Sequence, residues 1–324
     1  MIVIEFREGQ GLGNQLWYYA SAKSIADKLN FELVIQNYHL FKGKNFLKIE
    51  FDRIWDEIQD KKEYMIFNEK LYYDNELKYV ISDFDQNVLN IIKNTKLEGL
   101  FQSEKYFFGD LDKLKKYINL DQKVIDSNLI DKEVCVLNIR GGEYKRHKKF
   151  MLNKNYWINA MDNFRNISSV NDFLIVTDDL KYAKALFPNI EIIHGDIEKC
   201  YATIFNCSNI IVSNSTFSYF PCTTGLEKKI IAPMYWARPI KNNDRWISPA
   251  NIYKDWIYQD NESKLKTYDE CIKIASITSD YYAKDFNILI RKKDIPSTGF
   301  FNFLTSRQKN IIKKFLSFFL PKIF

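Results

Sequence analysis

The chain begins with an unbroken apolar run from Ile2 to Phe6, continues through three closely spaced glycines, Gly9, Gly11 and Gly13, and then changes period. Leu16, Tyr19, Ala22, Ala26 and Leu29 recur at helical spacing, and a second apolar run, Phe31 to Ile35, comes at once. This reads as strand, glycine loop, helix, strand. From Tyr38 to Glu98 the pattern is aromatic, charged and only loosely periodic, and it predicts no regular structure. A polar stretch from Asp121 to Lys132 reads as a linker. Beyond it the alternation is regular. Strands are predicted at Val134–Ile139, Phe173–Thr177, Ile190–Ile193, Ile210–Ser213 and Lys229–Ala232. Helices are predicted at Asn155–Phe164, up to Leu186, and at Glu198–Cys207. Such alternation predicts an α/β chain with parallel sheets covered on both faces. Ligands of these sheets bind at the carboxyl ends of the strands, so the loops after Phe6, Ile139, Thr177 and Ser213 are where chemistry is expected.

A length of 324 residues suits two lobes, which we place at 1–125 and 126–300, followed by a tail at 301–324. An apolar fraction of 46% is enough to give each lobe a core. The balance of 47 basic against 41 acidic residues, net +6, fits an anionic ligand or a membrane surface equally well. The bases are scattered and form no zinc finger or helix-turn-helix pattern, so nucleic acid is not expected. Cys135, Cys200, Cys207, Cys222 and Cys271 form no CxxC pair and have no histidine at metal-ligand spacing; being odd in number, they read as reduced, buried thiols. With no secretory pattern and no apolar stretch long enough to span a bilayer, the expected location is cytoplasmic. The tail changes that picture. Ile311, Ile312, Phe315, Leu316, Phe319 and Leu320 share it with Arg307, Lys309, Lys313, Lys314 and Lys322. A basic amphipathic helix of this kind either lies peripherally on an anionic membrane or packs on the lobes.

Four loops carry candidate chemistry. Glu8-Gly-Gln-Gly-Leu-Gly-Asn-Gln15 lets backbone approach a ligand and turn into a helix N-terminus that favours anions. It is not a dinucleotide fingerprint, because Asn14 stands where a third glycine is needed and Ile35-Gln36-Asn37 supplies no carboxylate for a ribose. In Asn138-Ile-Arg-Gly-Gly-Glu-Tyr144, Arg140 leaves a buried strand beside two glycines, either to grip a phosphate or to make a structural salt bridge. Thr177-Asp178-Asp179 and Ser213-Asn-Ser-Thr-Phe-Ser218 follow two further strands, as helix caps or as ligands of a nucleotide. Asp83-Phe-Asp85 and Asp110-Leu-Asp112 look like metal-binding triplets, but neither precedes a clear βα unit, and no metal is expected. His39, His147 and His194 have no partner pattern.

The order of these pieces resembles glycosyltransferase family 11, the bacterial α-1,2-fucosyltransferase-like family of the fucosyltransferase superfamily. The likeness runs from Gly-Leu-Gly-Asn-Gln15 through Leu100-Phe-Gln-Ser-Glu-Lys-Tyr-Phe107, Asn138–Tyr144, Val176-Thr-Asp-Asp179 and Ser213–Ser218 to Ile231-Ala-Pro-Met-Tyr-Trp236. It implies a GT-B-like pair of Rossmann-like lobes and inverting, metal-independent transfer from GDP-fucose to a glycan. No cofactor is implied beyond that co-substrate. By the same resemblance Arg140 holds the donor β-phosphate, with Asn138, Asp178, Asp179, Asn214, Ser215, Thr216 and Ser218 on the donor side. Glu8, Gly11, Gly13, Asn14 and Gln15 belong to the acceptor-side loop. For the base, Glu143 is favoured over Glu8, or else it fixes Arg140 by a salt bridge. The family motif reads His-x-Arg-Arg-Gly-Asp-Tyr, and this chain departs from it at Asn138, Gly141 and Glu143. Those departures leave two alternatives: the same mechanism with another sugar nucleotide, and a nucleotide- or glycan-binding protein without catalysis.

Overall fold

The computed structural model describes residues 1–59, 63–74, 79–170, 172–236 and 247–285. Two sheets organise them. The first holds β1 (Ile2–Glu5), β2 (Leu33–Gln36), β3 (Arg53–Ile54), β4 (Met65–Asn68) and β5 (Thr95–Glu98), all parallel, in the order β3-β2-β1-β5-β4. The second holds β6 (Val134–Ile139), β7 (Asp172–Thr177), β8 (Glu191–His194), β9 (Asn209–Val212), β10 (Lys229–Pro233), β11 (Ile257–Gln259) and β12 (Leu265–Lys266). Their order is β8-β7-β6-β9-β10-β11-β12, with an antiparallel last pair. Both sheets start in the middle and grow to either side. The strand order therefore reverses between β1 and β5 and between β6 and β9, where crevices open at the carboxyl ends.

The expected strands and helices of the second sheet are present within a few residues of their predicted ends. Helix α1 (Leu12–Leu29) leaves the glycine loop and ends at Asn30, whose left-handed backbone (φ 56°) closes the last turn. Helices α2 (Lys154–Ile167), α3 (Leu180–Leu186) and α4 (Ile197–Asn206) start on the side chains of Asn153, Asp179 and Asp196, which accept from backbone N–H groups of the first turn. Helices α5 (Tyr219–Thr224) and α6 (Tyr268–Asp285) complete the second lobe.

The loosely periodic region hides three strands of the first sheet. In β5, Lys96 and Glu98 pair with other charges, so the run Thr-Lys-Leu-Glu carries no apolar signature. The supposed linker contains a short helix, Gln122–Asp126, anchored to the second lobe by Asn206, whose Nδ2 donates to the carbonyls of Ile125 and Asn128 at 2.8 Å each.

The main core crosses from one lobe to the other. Most of α1 is buried, because it has the first sheet on one side and α5 on the other. Trp17 stacks on Tyr219 with ring centroids 4.2 Å apart and on Phe107 at 5.5 Å; Phe220 and Tyr253 complete the packing around it. No described helix is long and apolar enough to cross a membrane. The amphipathic tail lies outside the described residues.

Candidate active site

The glycine loop presses the first lobe against the second. Gly13 needs to be glycine: a Cβ there would sit 2.5 Å from the carbonyl carbon of Thr216 and 2.6 Å from its oxygen. Asn14 is the junction of three loops, since its Oδ1 accepts from Thr216 Oγ1 at 2.8 Å and from Gln102 Nε2 at 3.1 Å. Gln15 is fully buried and consumed by backbone, donating to the Leu40 carbonyl and accepting from the Lys42 N–H. Gly11 begins α1 without a side-chain cap, and Glu8 stands exposed in the loop. Of the residues expected on the acceptor side, then, Asn14 and Gly13 reach the second lobe and Gln15 serves its own.

Arg140 leaves the end of β6 held from two sides. Its Nη1 lies 2.6 Å from Asp178 Oδ2, and its Nη2 donates to Glu143 Oε1 at 3.2 Å. Asp178 also accepts from the Gly141 N–H at 2.8 Å, which ties the ends of β6 and β7 together. The two glycines follow from this crowding. A Cβ on Gly141 would lie 2.7 Å from the Asp179 Cβ, and one on Gly142 (φ +23°) would lie 2.2 Å from Asp178 Oδ2. In this chain the glycine that replaces the second arginine of the family motif thus lets Asp179 and Tyr182 pack close against the loop. The Arg140 side chain keeps 29% of its surface exposed, and Glu143 keeps 65%.

Asp179 does three things: its Oδ1 caps α3 through the Tyr182 N–H at 3.0 Å, its Oδ2 pairs with Lys145, and its N–H donates to Thr177 Oγ1. Burial pushes its carboxyl upwards, but Lys145 and the capping N–H outweigh that and hold it below the usual range.

The loop after β9 is joined to the Arg140 loop through backbone and side chain. The Ser213 N–H donates to the Asn138 carbonyl at 3.2 Å, and the Tyr144 hydroxyl donates to the Asn214 carbonyl at 2.8 Å. Tyr144 also lies under the Arg140 guanidinium, 5.5 Å from its ring centroid. Asn214 Nδ2 donates to the carbonyls of Phe150 and Trp236, and Ser218 Oγ donates to the Ser215 carbonyl at 3.3 Å. Asn138 Oδ1, Ser213 Oγ and Asn214 Oδ1 are buried with no hydrogen-bond partner. Left without a partner such a group costs about 1–3 kcal/mol, so these three atoms at one sheet crevice are placed to bond a ligand or water.

The structure therefore brings Asn138, Arg140, Glu143, Asp178, Asp179 and the 213–218 loop into one cluster, with Asn14 reaching it from the other lobe. Lys145, Tyr144 and Gln102 belong to it although no role was expected of them. Tyr144 and Gln102 lay inside quoted motifs, whereas the Lys145–Asp179 pair had no sequence signal. The aspartate triplets do other work: Asp85 caps a turn through the Asn87 N–H, Asp83 pairs with Lys105, and Asp110 accepts from the Lys113 N–H. All five cysteines are buried and unpaired.

The family model of glycosyl transferase family 11 matches residues 79–260, which takes in the Arg140, Asp178 and 213–218 loops together. The chain belongs to that family. It is thereby a glycosyltransferase by family, and the two parallel lobes are the GT-B-like pair implied by the resemblance. Among solved structures, NodZ fucosyltransferase from Bradyrhizobium is similar at 14% identity, covering 68% of this chain and 91% of its own, with a TM-score of 0.43. The family 9 glycosyl transferase from Veillonella parvula gives 11% identity, 86% and 96% coverage and a TM-score of 0.47. A mutant of Arabidopsis thaliana FUT1 in complex with GDP gives 11% identity, 76% and 72% coverage and a TM-score of 0.47. No curated protein matches the chain.

Proposed function

We propose that this family 11 member transfers fucose from GDP-fucose to a hydroxyl of a bacterial surface glycan, inverting the anomeric centre without a metal and forming an α-1,2 linkage. The lobe at 1–125 takes the acceptor and the lobe at 126–300 takes the sugar nucleotide. The setting is cytoplasmic, with peripheral membrane contact through the tail. Among known proteins, NodZ α-1,6-fucosyltransferase soaked with GDP-fucose offers a distant parallel for the donor.

The observation that carries this reading is the half-exposed Arg140 at the switch point of the second sheet, oriented by Asp178 and adjoining the 213–218 loop through Tyr144. A guanidinium has five N–H donors. Asp178 and Glu143 engage one amino group each, which leaves donors for the β-phosphate. As the glycosidic bond breaks, charge builds on that phosphate, and a fixed cation stabilises it without reorganising. A phosphate arriving at Arg140 competes with Glu143, the weaker and more exposed of its two partners. Displaced, Glu143 is a carboxylate free to take the acceptor proton. Asn138, Asp179 and the hydroxyls of Ser215, Thr216 and Ser218 shape the donor pocket around it.

The test is a calorimetric donor screen of the purified protein with GDP-fucose, GDP-mannose, UDP-sugars and NAD, followed by assay of GDP release. Saturable GDP-fucose binding with slow GDP release is expected. Preference for another sugar nucleotide would overturn the donor assignment and keep the mechanism; absence of sugar-nucleotide binding would overturn both.

A further inference from the structure

A second polar cluster stands on the first lobe, outside the machinery described above. Glu5 and Arg7 at the end of β1 meet Lys96 and Glu98 of β5. Lys96 Nζ lies 2.9 Å from Glu5 Oε2 and 3.6 Å from Glu98 Oε1. Arg7 Nη2 donates to Glu98, and Arg7 Nε lies 3.5 Å from Glu5 Oε2, buried and without a hydrogen-bond partner. Asn37, in a left-handed turn, donates its Nδ2 to Glu5 Oε1 at 3.2 Å and so fixes that carboxylate. The four side chains retain only 11–23% of their surface, so a full quartet of charges has been taken largely out of water. Such a network contributes little net stability, because desolvation offsets most of the attraction. An apolar ladder on the same strands would serve the fold as well.

Its position gives it a use. Glu5 and Glu98 end β1 and β5, the pair between which the first sheet reverses order, Arg7 lies just beyond β1, and Lys96 reaches them from within β5. Arg7 opens the glycine loop and Glu98 precedes Gly99 to Gln102; these two loops meet at Asn14, which touches Thr216 of the donor loop. The chain therefore runs from the quartet to the reaction cleft by two short arms.

We propose that Arg7 and Glu98, held by Glu5 and Lys96, are the acceptor-binding edge of the enzyme and recognise vicinal hydroxyls of a neutral pyranose. A guanidinium donates to sugar oxygens while the adjoining carboxylate accepts from the next hydroxyl, a pairing that suits a diol. Two cations balanced by two carboxylates give the edge no net charge, so a phosphorylated or uronic-acid acceptor gains nothing there. The proposal rests on the assignment of the first lobe to the acceptor.

The test measures sugar binding separately from nucleotide binding. Saturation-transfer NMR with methyl α-mannopyranoside, methyl β-glucopyranoside, methyl β-galactopyranoside and methyl galacturonoside is run on the GDP-saturated full chain and on Glu98→Gln and Arg7→Lys. GDP affinity and melting temperature are measured on the same samples. Expected are binding of at least one neutral glycoside, selectivity against the uronoside, and at least about tenfold weaker sugar binding in both variants with GDP affinity unchanged. Arg7→Lys keeps the charge and loses only the fork, so it stays informative if Glu98→Gln is poorly folded. Equal sugar binding in the variants, preference for the uronoside, or no glycoside bound by the unaltered chain would overturn the proposal. If GDP fails to bind while the variants still lose the sugar, the donor reading falls and the acceptor edge stands.

Discussion

The loops at the carboxyl ends of the two sheets are built for different ends. In the second lobe, polar groups accumulate at the crevice: Arg140 is half-exposed between two carboxylates, and three buried polar atoms nearby lack partners. In the first lobe, the glycine loop is used up in contact. Gly13 lies against the Thr216 backbone, Gln15 is bonded to residues 40 and 42, and Trp17 is enclosed by aromatic rings of both lobes. The same strand-loop-helix motif thus serves as a joint in one lobe and, on the function proposed above, as the reaction surface in the other. Substitutions at the joint should cost stability first, whereas substitutions at the reaction surface should cost chemistry first.

The largest effect expected at the joint is that of Trp17→Ala. Losing this fully buried ring, stacked on Tyr219 and Phe107, should destabilise the protein by about 3–5 kcal/mol in denaturant melts. A loss under 1 kcal/mol would mean the lobes are not joined there.

Two buried carboxylates sharpen the same point through pH. Glu104 accepts from the Tyr219 hydroxyl at 2.8 Å and from the Lys254 N–H at 3.0 Å, so it clasps the first lobe to the second. Glu69 holds the N–H groups of Leu100 and Phe101. Burial raises both from the ordinary carboxylate range to about 7. A raised carboxyl contributes stability that is complete below its unfolded pKa and is lost as pH rises through the folded value. Stability, and with it the melting temperature, should therefore fall between about pH 4.5 and 7, by on the order of 3 kcal/mol per group. Thermal scans across that range check the direction, and a flat or rising profile would contradict it.

Gly13→Ala is expected to cost about 1–3 kcal/mol, because the new methyl meets backbone that cannot swing aside. It should also weaken donor binding, since the backbone it displaces belongs to the 213–218 loop. Asp196→Ala, which removes two capping bonds from α4 far from either loop, should cost about 1 kcal/mol and leave nucleotide binding unaltered in the same titration.

How much of this was legible in the sequence depended on whether a residue's neighbours lay along the chain. The five strands from β6 to β10 could be read because they are short apolar runs, most of them buried in the middle of the sheet, although β8 at the edge is only partly covered. Strands β11 and β12 could not, since three and two residues are too few to show a pattern. Strand β5 could not, since its charges are satisfied by Glu5 and Arg7, some ninety residues earlier. Arg140 and the aspartate pair stood out by their place after strands. For Arg140 the sequence offers a phosphate grip or a salt bridge with Glu143; the structure shows the Glu143 pair and adds Asp178, a partner on the next strand end that no local spacing announces. The orphaned Asn138, Ser213 and Asn214 atoms had no sequence signal at all, because satisfaction of a buried group is a three-dimensional property.

The central claim is that Arg140 serves the nucleotide and not the fold. GDP-fucose should be titrated into the unaltered chain and into Arg140→Ala, with melting temperatures recorded on the same preparations. The account predicts GDP-fucose binding weakened at least tenfold, with melting changed by no more than a few degrees. Unchanged affinity in Arg140→Ala, or a collapse of melting that accounts for the lost binding, would contradict it.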